Sequence, residues 1–250
     1  MLKSLQTGDE ANPWAAVGRL DIGGNGFCTG ALIAPDLVLT AAHCLFDKTS
    51  GARVDHEAVE FLAGWRNGRA SAYRRVRRAV VHPEYSYSSK VSSDRVRNDV
   101  ALLQLDHAIR NTTITPFATS TRPGRGDRVG VVSYARDRSD APSLQEVCRV
   151  LALQEGVLIT SCSVDLGSSG APIFSFADGS AQIVSVVSAK AEIDGEKVSL
   201  GTGLTVPLEH LRAELDRTAS GFQTAPSASR VSIGEGRHTS GAKFVTAGDE

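Results

Sequence analysis

The chain has 250 residues, of which 41% are hydrophobic and 22% charged, with a formal net charge of -1. That length suits one or two compact domains, and the balance is that of an ordinary folded protein. The near-zero charge gives no global basis for binding nucleic acid or a membrane surface. No apolar run nears the roughly 18 residues that a spanning helix needs: the most apolar stretch, Ala31 to Phe46, is broken by Pro35, Asp36 and His43.

In chain order, Met1-Leu2-Lys3-Ser4 leads into polar residues, not into the apolar core of a secretory signal. Residues 15–22 alternate loosely, Gly23-Gly24-Asn25-Gly26 makes a turn, and 27–33 is apolar again. The glycine turn does not precede a helix, so it is no phosphate cradle. Pro35-Asp36 makes a second turn before 37–40, and further strands are expected at 59–63, 73–81 and 100–105. Residues 115–128, rich in Pro, Gly, Thr and Arg, read as a linker. Strands resume at 129–134, 144–153, 157–162, 171–176 and 183–189. Many short strands predict an all-β sandwich or barrel. One helix is expected, with Pro207 at a favourable first position and Leu208, Leu211 and Leu215 at helical spacing. The apolar period ends after Arg217, and residues 218–250 are expected to form a disordered tail.

The chain holds 4 cysteines. Residues 144–153 and 157–162 flank Gln154-Glu155-Gly156, a hairpin loop ending in Gly. With Leu153 facing Val157, Cys148 faces Cys162, and opposed Cα atoms roughly 4.5–5.5 Å apart lie within disulfide range. A bulge at Gly156 would shift this by one, and two free buried thiols are the alternative. Arg74, Arg75, Arg77 and Arg78 make a basic strand, Arg75 and Arg77 on one face and Arg74 and Arg78 on the other. It is either a solvated face or a docking patch for an acidic partner. His56, His82, His107, His210 and His238 have no acid or ligand at matching spacing, and no Cys/His cluster suggests a metal site.

Three segments carry chemistry: Leu39-Thr40-Ala41-Ala42-His43-Cys44, Asn98-Asp99-Val100-Ala101-Leu102-Leu103 and Gly167-Ser168-Ser169-Gly170-Ala171-Pro172. A serine hydroxyl needs an adjacent base to become a nucleophile, and imidazole serves. The base needs a carboxylate to fix its tautomer, and the tetrahedral intermediate needs preorganised donors. Singly, His43 reads as a structural histidine, Asp99 as a turn residue and Ser169 as part of a Gly/Ser turn with Ser168 as a rival.

Together and in this order, the segments resemble those of the trypsin-like (chymotrypsin-fold) serine peptidases, over roughly residues 13–215. Pro13-Trp14, Cys28-Thr29-Gly30-Ala31-Leu32-Ile33 and Val81-His82-Pro83-Glu84-Tyr85 add to the match. The resemblance implies two six-stranded antiparallel β-barrels with a C-terminal helix, the first at 13–115 and the second, with the helix, at 116–217. It implies a serine endopeptidase working through an acyl-enzyme, with Ser169 as nucleophile, His43 as base and Asp99 as its orienting acid. Gly167 and Ser169 would give the oxyanion donors, and Cys28 would pair with Cys44. It implies no cofactor or metal, a protein or peptide substrate, and no nucleic-acid partner. Disulfides imply a secreted or periplasmic location, with the signal peptide absent from this chain. A catalytically silent module on the same fold and an esterase with the same triad are the alternatives.

Two features depart from the family. Trypsin-like enzymes carry Asp before the nucleophile, to pair with a newly freed N-terminus; here that residue is Ser168, with no Ile-Val-Gly-Gly start. Residues 161–172 look closer to bacterial members, including glutamyl endopeptidases. By the same likeness Ser163 lies where trypsins keep an Asp, Val187-Ser188-Ala189-Lys190 forms the second wall of the specificity pocket, and Gly201-Thr202-Gly203 its back. Ser163, Ser188 and Lys190 are therefore the expected substrate-binding residues, with Asp165 an alternative source of charge. A pocket base without a carboxylate predicts cleavage after small, apolar or acidic residues.

Overall fold

The run 100–105 has no polar face, so a strand there must be covered on both sides. In the computed structural model, Ala101, Leu103 and Leu105 enter one apolar core and Leu102 enters another. The structure describes residues 2–220 apart from 25, 89, 121, 122, 178 and 194 and the side chains of 219 and 220. Residues 221–250 of the expected tail, and with them His238, lie outside the described residues.

The chain opens with strand β1 (Leu2–Ser4) and a helical turn α1 (Gly8–Ala11) capped by Thr7. Strands β2 (Val17–Ile22), β3 (Phe27–Ala34), β4 (Leu37–Thr40), β5 (Val59–Ala63), β6 (Ala72–Val81) and β7 (Ala101–Leu105) then close an antiparallel barrel in the order β2-β3-β4-β7-β6-β5. A short helix α2 (Ser93–Arg97) precedes β7. The second barrel uses β8 (Arg128–Ala135), β9 (Arg138–Gln154), β10 (Val157–Thr160), β11 (Pro172–Ser175), β12 (Gln182–Ile193) and β13 (Glu196–Gly203). It closes in the order β9-β10-β13-β12-β11-β8, since β8 also pairs with β9. Both expected six-stranded barrels are present, followed by helix α3 (Thr205–Ser220), which continues past Arg217.

Each barrel has its own interior, and a third apolar core fills the seam between them. Alternation produces this arrangement: Val38 points into the first barrel while Leu39 points into the seam. Within the seam, the Trp14 and Phe117 rings lie 5.0 and 4.7 Å from that of Phe174. Leu208, Leu211 and Leu215 of α3 are buried in the same core. Arg78 reaches α3 from β6, donating from Nη1 to the Leu215 carbonyl at 3.3 Å.

β1 and β13 were not expected from the sequence. β1 adds to the edge of β9, with Leu2 opposite Gln145 and Ser4 opposite Ser143. β13 is rich in Ser, Gly and charge, yet β10 and β12 pair with its two edges. The β9–β10 hairpin is tighter than expected: Gln154 faces Val157 across Glu155-Gly156, both at positive φ (48° and 83°). These are the angles of a two-residue turn that follows sheet twist. A bulge between Ile159 and Thr160 then shifts the register by one, and Thr160 faces Val150. The shift restores the opposition of Cys148 and Cys162, whose Cα atoms lie 5.0 Å apart in a disulfide.

The other bridge joins Cys28 and Cys44, with Cα atoms 6.2 Å apart. Thiol titration of denatured, unreduced protein is expected to find no free thiol. Replacing Cys28 and Cys44 together by Ser should lower stability by about 3 kcal/mol, the loop-entropy estimate for such a span. Four titratable thiols would refute both pairings.

Candidate active site

Strands β4 and β7 are neighbours, with Thr40 opposite Ala101. His43 follows β4 on a short 3-10 helix, Ala42–Leu45, and Asp99 lies two residues before β7. Adjacent strand ends therefore bring together residues 56 apart in sequence. The Cys28–Cys44 bridge fastens the histidine turn to β3.

Asp99 is fully buried, and protein donors stand in for water around it. Its Oδ1 accepts from the His43 backbone N–H at 2.8 Å, and its Oδ2 lies 2.6 Å from His43 Nδ1. Ser188 Oγ donates to the same Oδ2 through a short hydrogen bond. With the Nδ1 proton facing Asp99, His43 Nε2 is left as an acceptor. Ser188 sits where the β12–β13 register shifts between Val187 and Ala189. Thr202 Oγ1 of β13 lies 2.6 Å from the Val96 carbonyl and 3.1 Å from that of Asp99. The second barrel thus braces an acid carried by the first.

Ser169 lies in the loop between β10 and β11. It is half-buried, whereas Ser168 is completely buried. The Ser168 hydroxyl lies 3.1 Å from Ser133 Oγ and 3.4 Å from the Tyr134 carbonyl, and it accepts from the Asp165 N–H. That hydroxyl is therefore engaged inside the second barrel. Thr29 of β3 donates its N–H to the Ser169 carbonyl at 2.9 Å, which seats the serine turn against the first barrel beside the Cys28–Cys44 bridge. No hydrogen bond joins Ser169 Oγ to His43 among the described residues. Gly167 and Gly170 have positive φ, +99° and +75°. Among the described residues, the Gly167 and Ser169 N–H groups donate to no protein acceptor, while the intervening Ser168 N–H donates to the Asp165 carbonyl.

The remaining expected residues diverge. Ser188 spends its hydroxyl on Asp99. Ser163 is exposed, and its N–H donates to Gln145 Oε1 at 2.9 Å. Lys190 Nζ pairs with Asp165 Oδ1 at 3.1 Å, with both side chains more than half exposed (62% and 56%). The Asp165 carboxyl also accepts the Leu166 N–H, and this bond, with Lys190, holds it below the usual carboxylate range. Gly201 is packed in the barrel wall, where a Cβ would come within 2.3 Å of Ser185 Oγ and 2.9 Å of Ile173.

Sequence reasoning gave Thr29 no role of its own and, by resemblance, placed Thr202 at the back of the substrate pocket, whereas its hydroxyl bonds the Val96 and Asp99 carbonyls. It had also placed Ser188 in the substrate wall by resemblance, with no sign that its side chain reaches Asp99. A separate cavity of about 400 Å³ lies near Asn98, lined by His82, His210, Leu158, Leu204 and Pro207, and does not include His43 or Ser169.

Comparison with known proteins bears on family and fold. The family model described as Trypsin matches residues 6–192. A glutamyl endopeptidase of Bacillus licheniformis is 26% identical over 169 residues, 67% of this chain and 51% of that protein. The chain therefore spans about half of that relative's length. An uncharacterized peptidase of Corynebacterium glutamicum is 24% identical over 225 residues, 84% of this chain and 69% of that one. A solved Glu endopeptidase in complex with MPD superposes with a TM-score of 0.68 at 17% identity, covering 85% of this chain and 95% of its own. That likeness bears on the fold.

Gly170 offers a direct test of how closely the two barrels meet. A Cβ there would fall 2.1 Å from Thr40 Oγ1 and 2.5 Å from the Thr29 carbonyl, on a backbone with φ of +75°. Gly170→Ala should cost roughly 2–4 kcal/mol from overpacking and left-handed strain. A thermal melt unchanged from that of the parent would show that the turn is not clamped there.

Proposed function

Because the chain belongs to the trypsin family, we propose that it is a serine endopeptidase that cleaves peptide bonds through an acyl-enzyme on Ser169. The observation that carries this reading is the buried His43–Asp99 pair, with the imidazole held through Nδ1 and its Nε2 free to accept. In the proposed reaction Nε2 takes the Ser169 hydroxyl proton as Oγ attacks the carbonyl. Asp99 stabilises the imidazolium, and the Gly167 and Ser169 N–H groups receive the oxyanion. His43 then returns its proton to the leaving amine, and water repeats the sequence to release the acid. The engaged, buried Ser168 hydroxyl favours Ser169 as the nucleophile. The two disulfides favour an exported, oxidising location. Among the described residues no helix is long and apolar enough to cross a membrane.

For specificity, the proposal is cleavage after small, apolar or acidic residues rather than Arg or Lys. Ser163 brings no charge, and the Asp165 carboxylate has beside it the Lys190 ammonium, which would repel an arriving Arg or Lys side chain. Of the three classes, an acidic side chain has an available cation. An exposed ion pair is worth little, so a substrate carboxylate can take the place of Asp165 on Lys190. The name of the Bacillus licheniformis relative points to the same class.

Ser169→Ala is expected to lower peptide turnover on the order of 10⁴-fold or more with the fold intact, while Ser168→Ala stays active. The reverse pattern would move the nucleophile to Ser168, and ester hydrolysis without peptide cleavage would make the enzyme an esterase. On a digest of denatured proteins, Lys190→Gln should reduce cleavage after Glu and Asp relative to cleavage after Ala and Leu. A digest dominated by Arg and Lys sites, and abolished by Asp165→Asn, would overturn the specificity proposal.

A further inference from the structure

We propose that Thr29 is a positioning residue that locks the oxyanion turn in its competent shape, without a charged partner and without a newly freed N-terminus. The inference rests on the assignment of Ser169 and its turn made above. Gly167 and Gly170 both have positive φ, and glycine lets a peptide plane turn over at little cost. A turn built this way needs external bonds to keep its N–H groups facing one point.

Each peptide carbonyl from Leu166 to Ser169 is held. The Leu166 carbonyl accepts the Arg136 N–H at 2.7 Å, and the Ser168 carbonyl accepts the Ala171 N–H at 3.0 Å. Those two peptides carry the Gly167 and Ser169 N–H groups, and the peptide on the C-terminal side of each is held by one residue of the opposite barrel, which fixes the backbone turn at Gly167 and at Ser169. Thr29 Oγ1 donates to the Gly167 carbonyl at 3.0 Å, and the Thr29 N–H donates to the Ser169 carbonyl at 2.9 Å. The same hydroxyl accepts the Tyr134 N–H at 3.1 Å, so its proton is directed at Gly167. Thr40 Oγ1 fixes the Thr29 carbonyl in turn at 2.9 Å. Thr29 is completely buried, so no water competes for these bonds. Rotating the Gly167–Ser168 peptide would leave the Gly167 carbonyl without a donor, the Thr29 hydroxyl proton without an acceptor and the Ser168 N–H turned away from the Asp165 carbonyl. Residue 168 is a serine hydrogen-bonded within its own barrel, so no carboxylate there awaits an ammonium group.

The test compares Thr29→Val, which keeps the shape and loses the hydroxyl, with Thr29→Ser, which keeps the hydroxyl. Thr29→Val should lower kcat roughly 10- to 100-fold, less than the roughly 100- to 1,000-fold lost when an oxyanion donor is removed outright, with KM within about twofold. Acylation by a fluorophosphonate should slow in parallel, and Thr29→Ser should retain most of the parent kcat. Should the valine variant not fold, Thr29→Ala, which leaves room for water at the Tyr134 N–H, is read by the same criteria. Parent kcat in the variant lacking the hydroxyl, or equal loss in Thr29→Ser, would overturn the role of Thr29. A short peptide added before Met1 should leave kcat unchanged, and activity that appears only after trimming would overturn independence from the N-terminus. Ser169→Ala in the same assay separates the two levels. If it retains turnover, the assignment of the nucleophile fails and the role of Thr29 fails with it. If it is inactive while Thr29→Val matches the parent, only the role of Thr29 fails.

Discussion

A carboxylate removed from water is tolerable only where donors replace the solvent it lost. Asp99 meets that condition with donors from both barrels: the His43 N–H and Nδ1 come from the first, and the Ser188 hydroxyl from the second. Thr202 extends the arrangement by bonding the backbone carbonyls around the acid. The acid is therefore fully satisfied only when the barrels are docked. The seam of Trp14, Leu39, Leu102, Phe174 and Leu211 supplies a non-directional driving force for docking. Hydrogen bonds to a buried charge are directional, so they fix the alignment that apolar packing leaves loose.

The serine turn follows the same division of labour. The second barrel carries it, and Thr29 of the first receives it. Gly170 packs so closely against Thr40 and Thr29 that no side chain fits between. Neither barrel holds the candidate site alone, and the apolar seam and these polar contacts are two sides of one interface.

Much of this was legible in the sequence because its signals are local. Strands β4 and β5 lie where 37–40 and 59–63 were expected, and the positions of His43, Asp99 and Ser169 were set by short segments. The pairing of Cys148 with Cys162 was also legible, although the route to it differs: a tighter turn and a bulge shift the register in opposite senses. What was not legible depends on distant partners. Thr29 reads as an ordinary β-branched strand residue, and its bonds to Tyr134 and Gly167 span 105 and 138 residues. β13 lacks clean alternation and is a strand because both its edges are paired. The arginine strand keeps the expected alternation through Arg78 despite a bulge between Val76 and Arg78, but the partners of its inner face are distant in sequence. Arg75 and Arg77 stay exposed, while Arg78 is half-buried and bonds Gln104 and the Leu215 carbonyl.

The ends of the described chain cross over: α3 follows the second barrel but is tied to β6 of the first, and β1 precedes the first barrel but pairs with β9 of the second. The crossing orders the events of folding. Strands β2 to β7 can close their barrel from residues within 17–105, but Leu2 has to wait until β9 of the second barrel presents Gln145. Residues 2–4 are thus among the last to find their place, and they act as a latch that closes only on a nearly finished molecule.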